Sequence, residues 1–370
     1  MNIVIVSCFD SPSDDRTHLL KDVLECEGHR VSVITSNFWH IQKSIRTDCP
    51  DGFELVPVRP YFKNLSAARL RSHADFSRDA ITLAGQKNPD LLWVLVPPNS
   101  LVRRAVQYKH SHPDVRLVFD LIDLWPESLP GVGLLKQLPP FSQWRGLRDR
   151  YINAADLVVT ECSLYWDKLR DHCDQDKLHT LYWSKEATNW TKREVLPPEG
   201  RISLCYLGSI NNIIDIPCIG EIIRNIDLPV TLHIIGKGER KDELIQTAQK
   251  AGAEVIFHGA IYDSQEKKKI FDQCHFGLNI MKDSVSVGLT IKSIDYFDGE
   301  LPIINNIKGD TWKFVQQYPI GINYSPNTKL DSQVLLDLQK NRHEVRTFFE
   351  QYLSKDAFQK TVCDILFVLG

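Results

Sequence analysis

Short apolar runs alternate with helical patterns through the first half of the chain. Residues 2–7 form a continuous, β-branched apolar run, a helical pattern spans about 16–27, and a second apolar run covers 31–35. Runs that are apolar on both faces are typical of buried parallel strands, and a helix between two of them forms a βαβ unit. Further runs of the same kind lie at 91–96, 117–121 and 157–159. The first half is therefore predicted to be a doubly wound parallel sheet.

The second half repeats this alternation. Apolar runs at 202–207, 230–235, 255–257, 276–280 and 303–304 are separated by helical patterns over about 216–225, 241–251 and 265–273. Because strands that alternate with helices build parallel sheets, we predict an α/β fold of two Rossmann-like, doubly wound domains that face each other across a cleft.

The predicted domain boundary lies in a stretch without a clear element. Residues 182–200 end in Leu-Pro-Pro-Glu-Gly, which is typical of a stiff connector. The last segment, about 334–369, is helical by its three- and four-residue apolar spacing. A length of 370 residues suits two domains. We predict a first domain over 1–190, a second over 191–345, and a helical crossover over 346–370 that returns to the first domain.

Composition and charge exclude several classes of protein. The chain is 43% hydrophobic and 25% charged, as in soluble globular proteins. A net charge of −3 gives no overall field that would favour nucleic acid. The nine cysteines are scattered and never spaced as Cys-x-x-Cys, so we expect reduced, mostly buried thiols and neither a disulfide framework nor a zinc site.

The sequence also indicates a compartment. The apolar run at 2–7 is too short for a signal peptide and has no basic flank, and no window reaches the roughly 18 apolar residues of a spanning helix. We therefore expect a cytoplasmic protein. Asp174 and Asp176 resemble a metal-binding Asp-x-Asp pair, but no apolar strand precedes them, so no metal site is predicted.

The most informative stretch, residues 283–306, reads as loop, helix, turn and strand. Small residues lead into a short helical pattern that carries Lys292 and Asp295 one turn apart. The free N–H groups and positive dipole end at such a helix start favour an anion, to which Lys292 adds charge. Asp295 is spaced to accept both hydroxyls of a ribose. These features indicate a nucleotide; the alternative is an ordinary surface helix on which Lys292 is solvated and pairs with Asp295.

Two further strand-to-helix junctions support the nucleotide hypothesis. The segments 208–212 and 236–240 offer small residues and free N–H groups, as 288–292 does, and all three should lie at the same sheet edge. Gly236 and Gly238 alone are a weak signal, because such turns often need glycine. The first loop, 8–15, has no glycine-rich fingerprint, so a dinucleotide cofactor is not expected there.

In the first domain, two carboxylates follow an apolar run. Asp120 and Asp123 lie where the run 117–121 ends, and Pro126 closes the extended segment. Such a pair can act as an acid or base, bind a sugar hydroxyl, or cap the next helix and form structural hydrogen bonds. We predict the first two roles for Asp123 and Asp120 and keep the structural role as the alternative.

Basic and aromatic residues interleave in two segments of the same domain, 59–73 and 131–150. Apolar residues beside lysine and arginine suit a peripheral membrane contact. The alternative is that the apolar sides pack on the sheet while the basic sides are solvated.

Several of these motifs together resemble the retaining family-four glycosyltransferases of the GT-B fold, within them the enzymes of bacterial capsule and exopolysaccharide synthesis. Residues 232–238 look like the family's strand and Gly-x-Gly turn, and 255–260 look like its base-contacting turn. The stretch from Lys292 to Tyr296, followed by 301–304, is similar to the family's Lys-x-x-Glu-Tyr and Gly-x-Pro-Val-Ile pattern. Residues 120–127 are similar to its His-Asp-Leu-Trp-Pro segment.

The chain also departs from the family pattern. The paired glutamates of the family fall on Val287 and Asp295, so only one acidic residue remains. Asn211 and Asn212 stand where the family has arginine and lysine, and Ile122 stands at its histidine position. The resemblance therefore implies that Lys292 supplies the positive charge beside the diphosphate and that Asp123, instead of a histidine, contacts the donor or acceptor sugar.

The resemblance implies a hexosyltransferase. A sugar would pass from a nucleoside diphosphate sugar to a hydroxyl of a glycan or lipid-linked saccharide, without a cofactor or metal and with retention at the anomeric carbon. The alternatives are a non-catalytic partner of a glycosyltransferase, which the missing cations favour, and a nucleotide-sugar epimerase. The residues predicted to bind the donor are Gly208, Ser209, Asn211, Asn212, Gly236, Gly238, His258, Ile261, Gly288, Leu289, Thr290, Lys292 and Asp295.

Overall fold

The computed structural model describes residues 1–10, 15–129, 137–190, 197–326 and 328–370. Three parts of the sequence interpretation lie outside the described residues: half of the first loop, the start of the segment 131–150, and the beginning of the Leu-Pro-Pro connector.

The described residues divide into two compact units. The first contains Met1–Trp183 and Phe358–Gly370, and the second contains Ser184–Ala357. The predicted divisions lay at residues 190 and 345, whereas the structure places 184–190 and 346–357 in the second unit. Residues 185–190 belong there because their side chains and backbone bond to Asp295 and Asp298.

A parallel sheet forms the centre of the first unit, with the strand order β5-β2-β1-β6-β7-β8-β9 among the described residues. The strands β1 and β6 are apolar on both faces because helices cover the sheet on both sides. In chain order the strands of this unit, including a short antiparallel pair β3–β4 beside the sheet, are β1 (Asn2–Ser7), β2 (Arg30–Ser36), β3 (Phe38–Trp39), β4 (Ser44–Ile45), β5 (Phe53–Val56), β6 (Leu91–Val96), β7 (Arg116–Leu121), β8 (Leu157–Thr160) and β9 (Leu178–Thr180).

The helices of this unit are α1 (Asp15–Cys26), α2 (Ala67–Gln86), α3 (Asn99–Ser111), α4 (Phe141–Asp149), which packs on α3, and α5 (Leu164–Leu169). The helix α2 begins after Ser66, whose side chain accepts a hydrogen bond from the Arg69 N–H at 3.2 Å, the usual arrangement at a helix N-cap.

The chain returns to the first unit through its last helix, Lys355–Leu369. Phe358, Val362, Ile365 and Leu369 recur at steps of three and four residues and enter the same apolar cluster as β1. This return was predicted from that spacing.

The second unit is also built on a parallel sheet, with the described strands in the order β12-β11-β10-β13-β14-β15. Its strands are β10 (Ile202–Leu207), β11 (Val230–Ile235), β12 (Glu254–Gly259), β13 (Phe276–Asn279), β14 (Ile303–Asn305) and β15 (Gly321–Asn323). Its helices are α6 (Ile216–Arg224), α7 (Lys241–Lys250), α8 (Ser264–Phe271), α9 (Ile291–Asp298), α10 (Asp310–Gln317), α11 (Ser332–Gln339) and α12 (Arg342–Tyr352), and the last helix of the chain is α13.

The strand order reverses between β10 and β13. Ligands of doubly wound sheets bind beyond the carboxyl ends of the strands at such a reversal. The loops after β10 and β13, which carry most of the predicted donor residues, leave the sheet at this point.

The predicted α/β class with two doubly wound sheets is confirmed. All nine cysteines lie in the described ranges and are free thiols there. No helix in the described ranges has the length and apolar character that a bilayer crossing requires.

Candidate functional site

The loops after β10 and β11 approach each other so closely that only glycine fits. A Cβ atom on Gly236 would lie 2.0 Å from the carbonyl oxygen of Gly208, and one on Gly238 would lie 2.2 Å from that of Ile210. The two loops are also hydrogen-bonded, since the Ile210 N–H donates to the Lys237 carbonyl at 2.9 Å. The Gly-x-Gly pattern is thus needed to bring two strand-to-helix junctions into contact.

A cavity of about 130 Å³ opens beside these loops. The Gly236 N–H donates to the Gly259 carbonyl at 2.7 Å, which brings the loop after β12 to the same place. The cavity is lined by Leu207, Gly208, Ser209, Ile235, Gly236, Lys237, Ala260, Ile261 and Tyr262. The structure therefore gathers the predicted residues Gly208, Ser209, Gly236 and Ile261 around one cavity.

The start of α9 is held by its own side chains. Thr290 caps the helix, accepting from the Ser293 N–H at 3.3 Å and donating to the Asn279 side chain at 2.8 Å. Thr290 and Leu289 are buried, and the carbonyl of Gly288 accepts two bonds from Thr311. The side chains here position the helix, so an anion would meet the first N–H groups of α9 instead.

Lys292 has no anionic partner among the described residues. Its Nζ atom lies 5.1 Å from the centroid of the Tyr206 ring, and the Tyr206 hydroxyl donates to the Ser209 carbonyl at 2.8 Å. The side chain is half-buried, and burial lowers its pKa to about 7 with no contribution from a neighbouring charge. Lys292 is therefore an uncompensated amine near the loop that carries Ser209. The alternative in which it pairs with Asp295 is wrong.

Asp295 is paired with two other lysines. Its Oδ1 atom accepts from Lys185 at 2.9 Å and its Oδ2 atom accepts from Lys267 at 2.7 Å. Burial raises the pKa of the carboxyl, but the charges of Lys185 and Lys267 outweigh burial and leave the pKa below its ordinary value. Each oxygen thus already accepts one hydrogen bond, and a ribose hydroxyl would have to use the remaining lone pairs.

The next acidic residue on this face of α9 completes an ion network. Asp298 is 1% exposed and accepts from Arg346 at 2.7 Å, from the Thr188 hydroxyl at 2.7 Å and from Lys185 at 3.2 Å. The network attaches residues 185–190 to α9. The sequence interpretation missed Lys185 and Lys267 because neither belongs to a recognised binding motif.

The remaining predicted donor residues lie nearby on the same unit. The His258 Nε2 atom is 3.1 Å from the His233 Nδ1 atom, and burial lowers the pKa of both rings, that of His233 to about 4. The two rings are therefore neutral at pH 7. Asn211 accepts from the Ile213 N–H at 3.1 Å, and Asn212 is exposed.

In the first unit, Asp120 is a structural anion. It is fully buried, and Arg16 bonds to both of its oxygens, at 2.7 Å and 3.1 Å. Trp93 adds a third bond at 3.3 Å. The geometry favours a structural role over the predicted catalytic role of Asp120, because the carboxylate is fully buried and already accepts three hydrogen bonds.

Asp123 remains the candidate in this unit. Its side chain is half-buried, and its Oδ1 atom accepts from the Leu124 N–H at 2.8 Å. Burial raises the pKa of the carboxyl, while hydrogen bonds and the charge of Arg69 act in the opposite direction. It lies beyond the carboxyl end of β7, where ligands of such sheets bind.

A second carboxyl group, Glu161, was missed. Its backbone N–H donates to the carbonyl of Leu121 at 3.2 Å, which places it beside the end of β7, and its side chain accepts from Tyr165 at 2.7 Å and from Trp183. Burial raises its pKa to about 7, and the charge of Asp123 adds to the increase. The available signal was its position directly after an apolar strand, as for Asp123.

Two Rossmann-like units place this chain in the GT-B fold class, the fold of many glycosyltransferases, and solved structures of that class match it along its whole length. No protein-family model matches the chain, and no curated protein matches its sequence.

Three of the similar structures illustrate the likeness. Sucrose-phosphate synthase from Thermosynechococcus elongatus has a TM-score of 0.71 at 11% identity, covering 100% of this chain and 99% of the other. The lipopolysaccharide outer core galactosyltransferase WaaB has a TM-score of 0.69 at 13% identity, with 99% of both chains covered. HepE from Anabaena, in complex with UDP, has a TM-score of 0.66 at 12% identity, again over 99% of both chains.

Proposed function

We propose that this protein is a glycosyltransferase that moves a hexose from a nucleoside diphosphate sugar to an acceptor hydroxyl. The observation that carries the proposal is Lys292, an amine that has no counter-ion among the described residues and lies over the ring of Tyr206, whose hydroxyl bonds to Ser209 on the lining of the cavity in the second unit. A diphosphate would supply the negative counter-charge that the protonated amine lacks. The fold agrees with this activity, since WaaB is a galactosyltransferase and HepE binds UDP.

The donor diphosphate would lie against the start of α9, with Lys292 as the cation. Negative charge develops on the leaving diphosphate as the sugar bond breaks, and a preformed positive site stabilises that charge. The N–H groups at the helix start add their partial charges to that of Lys292. This arrangement uses only groups of the chain itself, and no metal ion or cofactor enters the proposal.

The other groups have positioning roles in this proposal. The loop around Ile261 would contact the base through its backbone, and Asp295 would accept a ribose hydroxyl while it retains its two lysines. Asp123 of the first unit would bind and orient a sugar hydroxyl. We further propose a glycan or lipid-linked saccharide of the cell surface as acceptor, and retention of the anomeric configuration, because the resemblance in sequence implies them.

A thermal-shift panel with UDP, GDP, CMP, dTDP and ADP tests the proposal. A nucleotide at about 100 times its dissociation constant stabilises the folded state by about 2.7 kcal/mol. We expect one nucleotide to stabilise the wild type and the Asp123→Ala variant but not Asp295→Ala. Equal loss in both variants would contradict the assigned roles.

A non-catalytic partner of a glycosyltransferase is the second candidate. The occupation of both Asp295 oxygens by lysine favours it, together with asparagine at positions 211 and 212. The same panel separates the two, because this candidate predicts that none of the nucleotides stabilises the wild type.

A further inference from the structure

An apolar groove of about 390 Å³ lies on the first unit between the start of α2 and α4. Trp144 is 8% exposed and packs against its floor, whereas Leu65 and Leu70 are exposed on its walls. The residues that line it are Asn64, Leu65, Ser66, Ala67, Arg69, Leu70, Pro140, Phe141 and Trp144. The two basic and aromatic segments of the sequence thus contribute to one groove.

The groove contains a buried cation that forms no ion pair with any carboxylate of the described residues. Arg69 is 3% exposed, and its guanidinium lies 4.1 Å from the centroid of the Trp125 ring. Its Nη1 and Nε atoms donate to the Asn64 carbonyl at 3.0 Å and to His73 at 3.3 Å, and Nη2 has no hydrogen-bond partner in the described part of the chain. No carboxylate of the described residues bonds to it. A buried charge in this state favours an anionic ligand.

The rim adds apolar surface and further positive charge. Phe62 is 75% exposed and Leu138 is 56% exposed, and each of them, like the exposed Lys63 and Arg71, lies within two residues in sequence of a residue that lines the groove. Exposed apolar side chains next to cations match a ligand that has both an apolar chain and an anionic group. Charge and surface are therefore complementary to an anionic amphiphile.

The groove opens at the edge of the sheet that carries Asp123. The guanidinium of Arg69, which lines the groove, lies over the ring of Trp125, and Trp125 follows the end of β7 by four residues. Asp123 lies beyond the end of β7 as well, and its carboxylate interacts with the charge of Arg69. A ligand in the groove would bring its anionic group to this edge.

We propose that the groove binds a lipid-linked phosphate, with the apolar chain between Leu65, Leu70 and Trp144 and the phosphate against Arg69. This rests on the proposed function, for which it identifies the acceptor as an amphiphile that carries the receiving sugar on a phosphate.

Binding of decyl phosphate below its micelle concentration tests this proposal. Calorimetric titration of the whole protein should give binding at least tenfold tighter for decyl phosphate than for decanol or inorganic phosphate. The Leu70→Asp variant should lose at least tenfold in affinity, because it places a negative charge on the groove wall. Val334→Asp, at an exposed valine of the second unit, is the matched control and should bind like the wild type.

Each other outcome overturns a part of the proposal. Equal affinity for decanol and decyl phosphate would show that Arg69 does not bind the phosphate. Equal affinity for inorganic phosphate and decyl phosphate would show that the apolar chain does not bind in the groove. Unchanged affinity in Leu70→Asp would refute the groove. Binding to phosphatidylglycerol vesicles that is equal in wild type and Leu70→Asp, without binding of decyl phosphate, would replace the groove by a general membrane contact.

A second variant and the choice of ligand keep the test independent. Arg69→Gln should lose selectivity for decyl phosphate over decanol; if it fails to fold, the comparison of ligands on the wild type makes the same decision. The titration contains no nucleotide, so failure of the donor site leaves this result intact. Conversely, nucleotide stabilisation without decyl phosphate binding would refute the groove and leave the transferase proposal standing.

Discussion

Nucleotide binding by this protein should be accompanied by proton uptake at Lys292. Burial lowers the pKa of the free amine from 10.5 to about 7, so at pH 8 only about one molecule in ten carries the charge. A diphosphate beside the amine favours the charged form and raises this pKa. The wild type should then take up about 0.9 proton per nucleotide at pH 8 and about 0.5 at pH 7. Lys292→Met should take up none and bind more weakly.

Calorimetric titration at pH 8 in two buffers with different enthalpies of protonation measures this uptake. The pH is chosen because the last ionisation of a terminal phosphate, with a pKa of about 6, is then complete in the free ligand. Lys250→Met is the matched control, since Lys250 is exposed at the end of α7. Nucleotide binding without proton uptake, or with the same uptake in Lys292→Met, would refute the reasoning.

The same pKa shift has a consequence for stability. Because the folded-state pKa of Lys292 lies below its ordinary value, the unfolded chain binds more protons between about pH 7 and 10.5, and wild-type stability rises with pH across that window. The full shift corresponds to about 5 kcal/mol. We expect Lys292→Met to be about 1–2 kcal/mol more stable than wild type at pH 7 without nucleotide, because the half-buried amine keeps some solvation. Urea denaturation should show that the difference in unfolding free energy between Lys292→Met and the wild type is smaller at pH 10 than at pH 7.

Two further substitutions test the geometry of each unit. Gly236→Ala should abolish nucleotide binding and destabilise the protein more than its control, Gly252→Ala. Both positions have a positive φ, but of the two only a Cβ at Gly236 would meet backbone, at 2.0 Å. Nucleotide titration and urea denaturation measure the two effects, and equal effects in both variants would contradict the close approach of the loops. Asp120→Asn should cost about 3–5 kcal/mol of stability because it leaves the buried Arg16 uncompensated. Asp123→Asn should change stability by less than about 1 kcal/mol and reduce transfer activity. A large loss of activity with little loss of stability in Asp120→Asn would instead support a catalytic role for Asp120.

Strands that are apolar on both faces could be predicted because their sequence differs from every other kind of segment. β1, β6, β10 and β11 are wholly or almost wholly buried along their length. The strands β5, β9 and β15 escaped prediction because each has only three or four residues and includes partly exposed positions. A short sheet-edge strand has too few residues for a period to be recognised.

The predictions for the site divide in the same way. The convergence of the loops carrying Gly208 and Gly236 followed from the alternation of strands and helices, since parallel strands place such loops at one edge. The ion pairs between basic and acidic residues could not be predicted from the sequence. Lys185 and Asp295 lie 110 residues apart, and Arg16 and Asp120 lie 104 residues apart.

The sequence by itself therefore determined the long buried strands of both sheets, the sheet edge at which the predicted donor residues lie, and the residue types available there. Local propensity and hydrophobic period act over a few residues, and they suffice for those features. Only the tertiary structure decided which charges are paired: among the described residues no carboxylate lies within ion-pair distance of Lys292 or Arg69, whereas Asp120 and Asp295 bond to cations. The reason is that burial and ion pairing depend on residues distant in the chain, whose approach is set by the packing of whole elements.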